Sequence, residues 1–242
     1  MNIYNVGSRI MNTYVYPIEN GYVMIDTGYD TSFSKVCRKL KRLNISLNDI
    51  KYVFLTHAHD DHAGFLNTLL SKTSDLKVIV SSISIPTLLY GKSSFYGGCC
   101  GLFSLVFCNI MKLIGRGKHE FPPVEKQYLN RFIKNDNKNK IALETILKGK
   151  ILFTPGHTSD SISLMLSNGI IFSGDATMNG LPSINNITIW IENKKEYIQS
   201  WDTIISQKSH YIYPSHGKPF KDDILSKNIS YVNKIKLYRL KE

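Results

Sequence analysis

Nine residues, Thr56-His57-Ala58-His59-Asp60-Asp61-His62-Ala63-Gly64, follow directly on the apolar run Tyr52-Val53-Phe54-Leu55. The apolar run reads as a short buried strand, so the nine residues form the loop at its end. They fit the pattern H-x-H-x-D-H at His57, His59, Asp61 and His62. Two residues apart on extended backbone, His57 and His59 point the same way. Asp61 and His62 fall at the start of the next helix and can face a second metal ion. Imidazole and carboxylate are the donors that suit Zn²⁺ and related borderline ions. A loop of this composition needs a rigid scaffold, which points to a sheet whose strand ends gather functional loops at one edge.

The other histidines repeat the arrangement. His157 lies in Thr154-Pro155-Gly156-His157-Thr158, after the apolar run Ile151-Leu152-Phe153. His216 lies in Pro214-Ser215-His216-Gly217, after Tyr211-Ile212-Tyr213, and Asp175 in Ser173-Gly174-Asp175-Ala176, after Ile170-Ile171-Phe172. Three more candidate ligands thus sit at strand ends beside glycine. His119 and His210 lack that setting and read as surface or satisfied histidines.

Strand and helix signals alternate in the first part of the chain. Thr13 to Ile18 and Tyr22 to Asp26 read as a hairpin across Glu19-Asn20-Gly21. The 3–4 spacing of Phe33, Val36, Cys37, Leu40 and Leu43 predicts an amphipathic helix over Ser32 to Leu43, capped by Thr31 or Ser32, with Cys37 in the core. His62 to Leu70 predicts another helix and Lys77 to Val80 another strand. The rhythm breaks between about 82 and 142 and returns with strands at Ile151, Ser161, Ile170 and Tyr211. Lys195 to Ile205 and Asp222 to Tyr238 are the remaining helix candidates. The expected organisation is one domain over 1–242 carrying an inserted, lid-like segment at about 82–142. Within that insert, Gly101 to Ile114 is apolar almost all round if helical, with only Ser104, Cys108 and Lys112 as a polar stripe. Gly97, Gly98, Gly101, Gly115 and Gly117 are hinge candidates, and Arg116, Lys118 and His119 could meet an anionic part of a substrate.

Composition excludes a disordered chain or a simple coiled coil: 43% of the residues are apolar and 20% charged. The net charge of +11 favours anionic partners. Nucleic acid is one of these but not the favoured one, because no long basic run marks an arm. Cys37, Cys99, Cys100 and Cys108 form no zinc-knuckle spacing and read as free thiols of a reducing compartment. The start of the chain shows no basic region followed by an apolar one, and no stretch is apolar enough to span a bilayer, so a cytoplasmic location is expected.

The five segments Asp26-Thr27-Gly28, His57 to His62, His157, Asp175 and His216 together resemble the metallo-β-lactamase-fold metallohydrolases, in order, spacing and flanking residues. The resemblance implies an α+β fold, a four-layer αββα sandwich with a helical insert. It implies that His57, His59 and His157 hold one metal, that Asp61, His62 and His216 hold a second, and that Asp175 bridges them. Asp26 matches an early aspartate that supports the metal loop without being a ligand. The implied cofactors are two divalent ions, zinc first, with iron or manganese as alternatives. The implied activity is hydrolysis of an ester, thioester, lactone or phosphodiester bond by a metal-bridging hydroxide, with Asp61 as the catalytic proton carrier. The substrate is then a small molecule, anionic with an apolar portion, and a homo-oligomer is compatible with this reading. The alternatives are a mononuclear-iron enzyme like the persulfide dioxygenases and a member of the phosphodiesterase and nuclease branch.

Departures from the known branches leave the substrate open. Asp175 stands where zinc β-lactamases with a cysteine ligand carry that cysteine, so β-lactam hydrolysis is not expected. His59 stands where the flavodiiron reductases carry glutamate. The tyrosine that lactonases place soon after the bridging aspartate is missing from Ala176-Thr177-Met178-Asn179-Gly180. Only one helix is expected after His216, so a C-terminal helical domain like that of glyoxalase II is not expected here, nor are the cap domains of the nuclease branches.

Overall fold

A computed structural model describes residues 1–93, 96–114, 117–136 and 138–240. The chain divides into two compact units, residues 1–94 with 120–149, and residues 95–119 with 150–242. The stretch 82–142 is therefore shared between them. The hinge and anion-contact candidates Gly115 and Arg116 lie outside the described residues.

The first unit is built on a six-stranded sheet in the order Tyr4–Asn5, Tyr14–Ile18, Gly21–Ile25, Ile50–Phe54, Lys77–Val80, Phe132–Lys134. The first three strands pair antiparallel, and the last four run parallel. Parallel strands require crossovers, and the helices Phe33–Arg42 and Leu66–Ser71 lie on two of them. Val36 and Leu40 of the first and Leu66, Leu69 and Leu70 of the second are buried with Val53, Leu55, Val78 and Val80. Each such side chain contributes about 1.5–3 kcal/mol by leaving water. Cys37 is only half-buried, not in the core as its spacing suggested, because Val36 and Leu40 take the inward positions. The expected side-chain cap at the start of that helix is absent: a short 3₁₀ turn, Asp30–Ser32, leads into it instead.

The helix expected over His62 to Leu70 is two helices, Asp60–Ala63 and Leu66–Ser71. The reason is a competing donor. In a continuous helix the His62 carbonyl would accept from Leu66 N–H. Here it accepts from Thr27, through the backbone N–H at 2.7 Å and the hydroxyl at 2.8 Å. The edge strand Phe132–Lys134 has no clear periodicity in sequence. It is placed by pairing with Lys77–Val80 and by Arg131, whose guanidinium donates to the carbonyls of Leu70 and Thr73.

The second unit holds a five-stranded sheet in the order Phe220–Lys221, Tyr211–Pro214, Ile170–Gly174, Ile162–Leu166, Gly149–Phe153. Ile170–Gly174 and Tyr211–Pro214 run parallel. The helices Lys194–Ser206 and Asp223–Asn233 pack Tyr197, Trp201, Ile204, Leu225 and Val232 against Ile171 and Ile212. Asn193 caps the first helix, its side chain accepting from Lys195 and Glu196 N–H. The second stops five residues short of the expected Tyr238 because the chain pairs there with Cys99 through two backbone hydrogen bonds of 2.8 and 2.9 Å. The helix Leu102–Leu113 also belongs to this unit. None of the described helices is long and apolar enough to cross a membrane.

Candidate metal centre

In the first unit the parallel pairing of Gly21–Ile25 with Ile50–Phe54 sets their C-terminal ends side by side, Ile25 opposite Phe54. Asp26 and the loop beginning at Leu55 therefore emerge together. Asp26, fully buried, adopts a left-handed backbone conformation (φ 54°), which aspartate tolerates better than most residues. Its carboxylate accepts from Thr56 N–H at 2.8 Å, from the Thr56 hydroxyl at 2.9 Å and from His62 Nδ1 at 2.8 Å. The Thr56 hydroxyl has one proton and gives it to Asp26, so it accepts from His57 Nδ1 at 3.0 Å. Both rings thus carry their proton on Nδ1 and keep the lone pair on Nε2, the tautomer a metal ligand needs.

The rings of His57 and His62 stand with centroids 3.9 Å apart, and those of His57 and His59 4.6 Å apart. His57, His59 and His62 are buried, while Asp61 keeps slight access to solvent. An Asp61 carboxylate oxygen lies 3.6 Å from His62 Nε2. One strand end thus brings together His57, His59, Asp61 and His62, with Asp26 beneath them.

In the second unit the parallel pair ends with Gly174 opposite Pro214, and Ser215 N–H donates to the Gly174 carbonyl at 3.1 Å. Asp175 and His216 leave from these two ends, with His216 Nε2 3.5 Å from an Asp175 oxygen. His157 comes from the end of Gly149–Phe153, and its Nε2 lies 3.7 Å from the same oxygen. His157 Nδ1 donates to the Trp190 carbonyl at 2.8 Å, which again leaves the lone pair on Nε2. The turn before it requires Gly156: φ is +123°, and a Cβ there would stand 2.3 Å from the Tyr197 nitrogen. The Gly156 carbonyl accepts from Glu192 and Asn193 N–H, which ties the loop to the start of the next helix.

The donors offered by each unit are of the kind that could hold metal ions: His57, His59, Asp61 and His62 in one, His157, Asp175 and His216 in the other. Separations of 3.5–3.7 Å are too long for hydrogen bonds. They are close to the spacing of about 3.3–3.4 Å expected between two ligands of one tetrahedral ion with bonds near 2.0–2.1 Å. Of the two remaining histidines, His210 is exposed and His119 half-buried, and neither joins such a group among the described residues. Sequence reasoning expects Asp26 to hydrogen-bond the loop near Thr56 or His57, as it does, but does not find the Thr27 clasp or the Trp190 carbonyl.

Residues 7–98 match the family model described as the metallo-beta-lactamase superfamily. The chain is 26% identical over 223 residues to a beta-lactamase-like protein 2 homolog of Caenorhabditis elegans, with 91% of this chain covered but only 60% of that protein's length. A metallo-beta-lactamase family protein from Thermus thermophilus superposes with a TM-score of 0.69 at 17% identity, covering 96% of this chain and 78% of that one. A HARLDQ-motif mutant of a metallo-beta-lactamase from Cronobacter sakazakii superposes with a TM-score of 0.65 at 20% identity, covering 96% and 91%. The chain has the metallo-β-lactamase fold, and its residues 7–98 are similar to the metallo-beta-lactamase superfamily. That superfamily consists mostly of metal-dependent hydrolases.

Proposed function

We propose that the protein is a dinuclear zinc hydrolase of an ester, thioester, lactone or phosphodiester bond in a small, anionic, cytoplasmic substrate. On this reading His57, His59 and His157 hold one ion, Asp61, His62 and His216 hold the other, and Asp175 is shared between them. The observation that carries the proposal is the common tautomer of His57, His62 and His157. Each has its Nδ1 proton committed to an oxygen acceptor, so each directs an Nε2 lone pair outward. Ions bound there would supply a water acidic enough to ionise near neutral pH and positive charge facing the oxygen that becomes negative. Asp61, acidic and not fully buried, takes the proton of the attacking water on a carboxylate oxygen and passes it to the leaving group. Asp26 and Thr56 keep the His57 and His62 rings oriented throughout.

Elemental analysis of the purified chain, with a panel of small esters, thioesters, lactones and phosphodiesters, tests the reading. Two equivalents of zinc and hydrolysis of one bond class are expected, with His57→Ala abolishing turnover while leaving the fold intact. One equivalent of iron with oxygen uptake would favour the mononuclear dioxygenase reading instead.

A further inference from the structure

The helix Leu102–Leu113 presents its faces in the reverse of the usual order. Leu102, Phe103, Val106, Ile110, Leu113 and the following Ile114 are 51–86% exposed. The buried residue of the helix is Ser104, and Cys108, one turn on, is half-buried. A surface helix of a globular protein buries its apolar stripe and exposes its polar one. This helix turns Ser104 and Cys108 inward and leaves only Lys112 of its polar stripe exposed, and a contiguous apolar face of this kind marks a surface that binds something.

The charge around it is of one sign. Between Asp75 and Glu120 the sequence contains no Asp or Glu, but it contains Lys77, Lys92, Lys112, Arg116 and Lys118. After the helix the chain turns back on its last turn: a Cβ on Gly117 would stand 3.2 Å from the Lys112 Cα. Lys118 is therefore carried to the same end of the helix as Lys112, and both are exposed.

We propose that this helix lies in the interface of an anionic lipid bilayer, its apolar side chains in the headgroup–acyl boundary and Lys112 and Lys118 against lipid phosphates. Twelve residues make about 18 Å of helix, far short of a hydrocarbon core of about 30 Å, so it lies in the plane of the interface and does not cross. A second copy of the chain fits the face less well. A strip of about 18 by 10 Å offers roughly 200 Å² in projection, against about 800 Å² per partner in a standard stable interface. Two chains of net charge +11 also repel each other, whereas anionic lipid attracts them.

Co-sedimentation of the full chain with phosphatidylcholine vesicles, with and without phosphatidylglycerol, tests this. Binding to the anionic vesicles is expected, weakened by salt, with little binding to phosphatidylcholine alone. Val106→Asp with Leu113→Asp should weaken that binding by about tenfold or more. Both positions are exposed, and Leu113→Asp alone, at the position 86% exposed, provides a second variant with still less risk to folding. Lys112→Glu with Lys118→Glu should weaken binding to anionic vesicles only. Metal content should be unchanged in every variant, which separates failure here from failure of the metal assignment. Absence of binding to anionic vesicles, or equal binding by the Asp variants, would overturn the proposal. So would a dimer in sedimentation equilibrium that those variants lose while vesicles stay unbound.

Discussion

In the first unit four candidate ligands come from six consecutive residues, and a side-chain network centred on Asp26 and Thr56 holds two of them, His57 and His62. In the second, three candidate ligands come from three strand ends far apart in sequence, and backbone holds them: the parallel register of Gly174 with Pro214, and the Trp190 carbonyl on His157. Ligands close in sequence share a flexible loop and need a buried side-chain clamp. Ligands at the ends of hydrogen-bonded strands inherit their positions from the sheet. The two donor sets should therefore fail under different kinds of substitution.

Asp26→Ala should have the largest effect. It strands three buried donors at once, which costs about 3–5 kcal/mol when one partner of a buried polar network is removed. Urea denaturation reads this directly, and a loss below about 1 kcal/mol would show that the clamp is not what holds the loop. Asp26→Asn, which keeps one acceptor oxygen and suits the left-handed backbone, should cost clearly less.

Gly156→Ala probes the other set through backbone alone. Its Cβ meets the Tyr197 main chain, so a loss of about 2–4 kcal/mol is expected in the same assay. Full stability of this variant would mean that the His157 turn can relax, contrary to a backbone-held site.

Thr56→Val preserves shape and deletes only the hydroxyl that links Asp26 to His57. A loss of about 1–2 kcal/mol is expected, with metal affinity falling about 10–100-fold in a chelator competition. Trp190→Phe is the matched change in the second unit. It removes the indole bond to the Tyr96 carbonyl, worth about 1 kcal/mol, but leaves the Trp190 carbonyl that orients His157. Metal affinity should stay the same, and a fall comparable with that of Thr56→Val would erase the distinction between the two scaffolds.

Much of the fold was legible because local pattern and burial agree. The hairpin Tyr14–Ile18 with Gly21–Ile25, the strand Lys77–Val80 and the helix Lys194–Ser206 stand where alternation and 3–4 spacing place them. The strand Phe132–Lys134 was not legible: three residues carry too little period, and pairing to a neighbour about 55 residues earlier decides it. The candidate ligands were legible for a chemical reason. Histidine and aspartate beside glycine at strand ends are rare combinations that few structural roles require.

The sequence by itself determined which side chains can coordinate a metal, where each lies relative to a strand, and that Asp26 accompanies them. It did so because residue chemistry and short periodicities are local properties of the chain. Only the tertiary structure decided that His62 lies in the last turn of one helix instead of starting another, because the donor that takes its carbonyl, Thr27, lies 35 residues away. Tertiary structure likewise decided that the helix Leu102–Leu113 turns Ser104 inward and Leu102 and Leu113 outward. Apolar composition predicts that a surface will be covered, but which face of a nearly all-apolar helix meets the rest of the chain depends on contacts that no local pattern encodes.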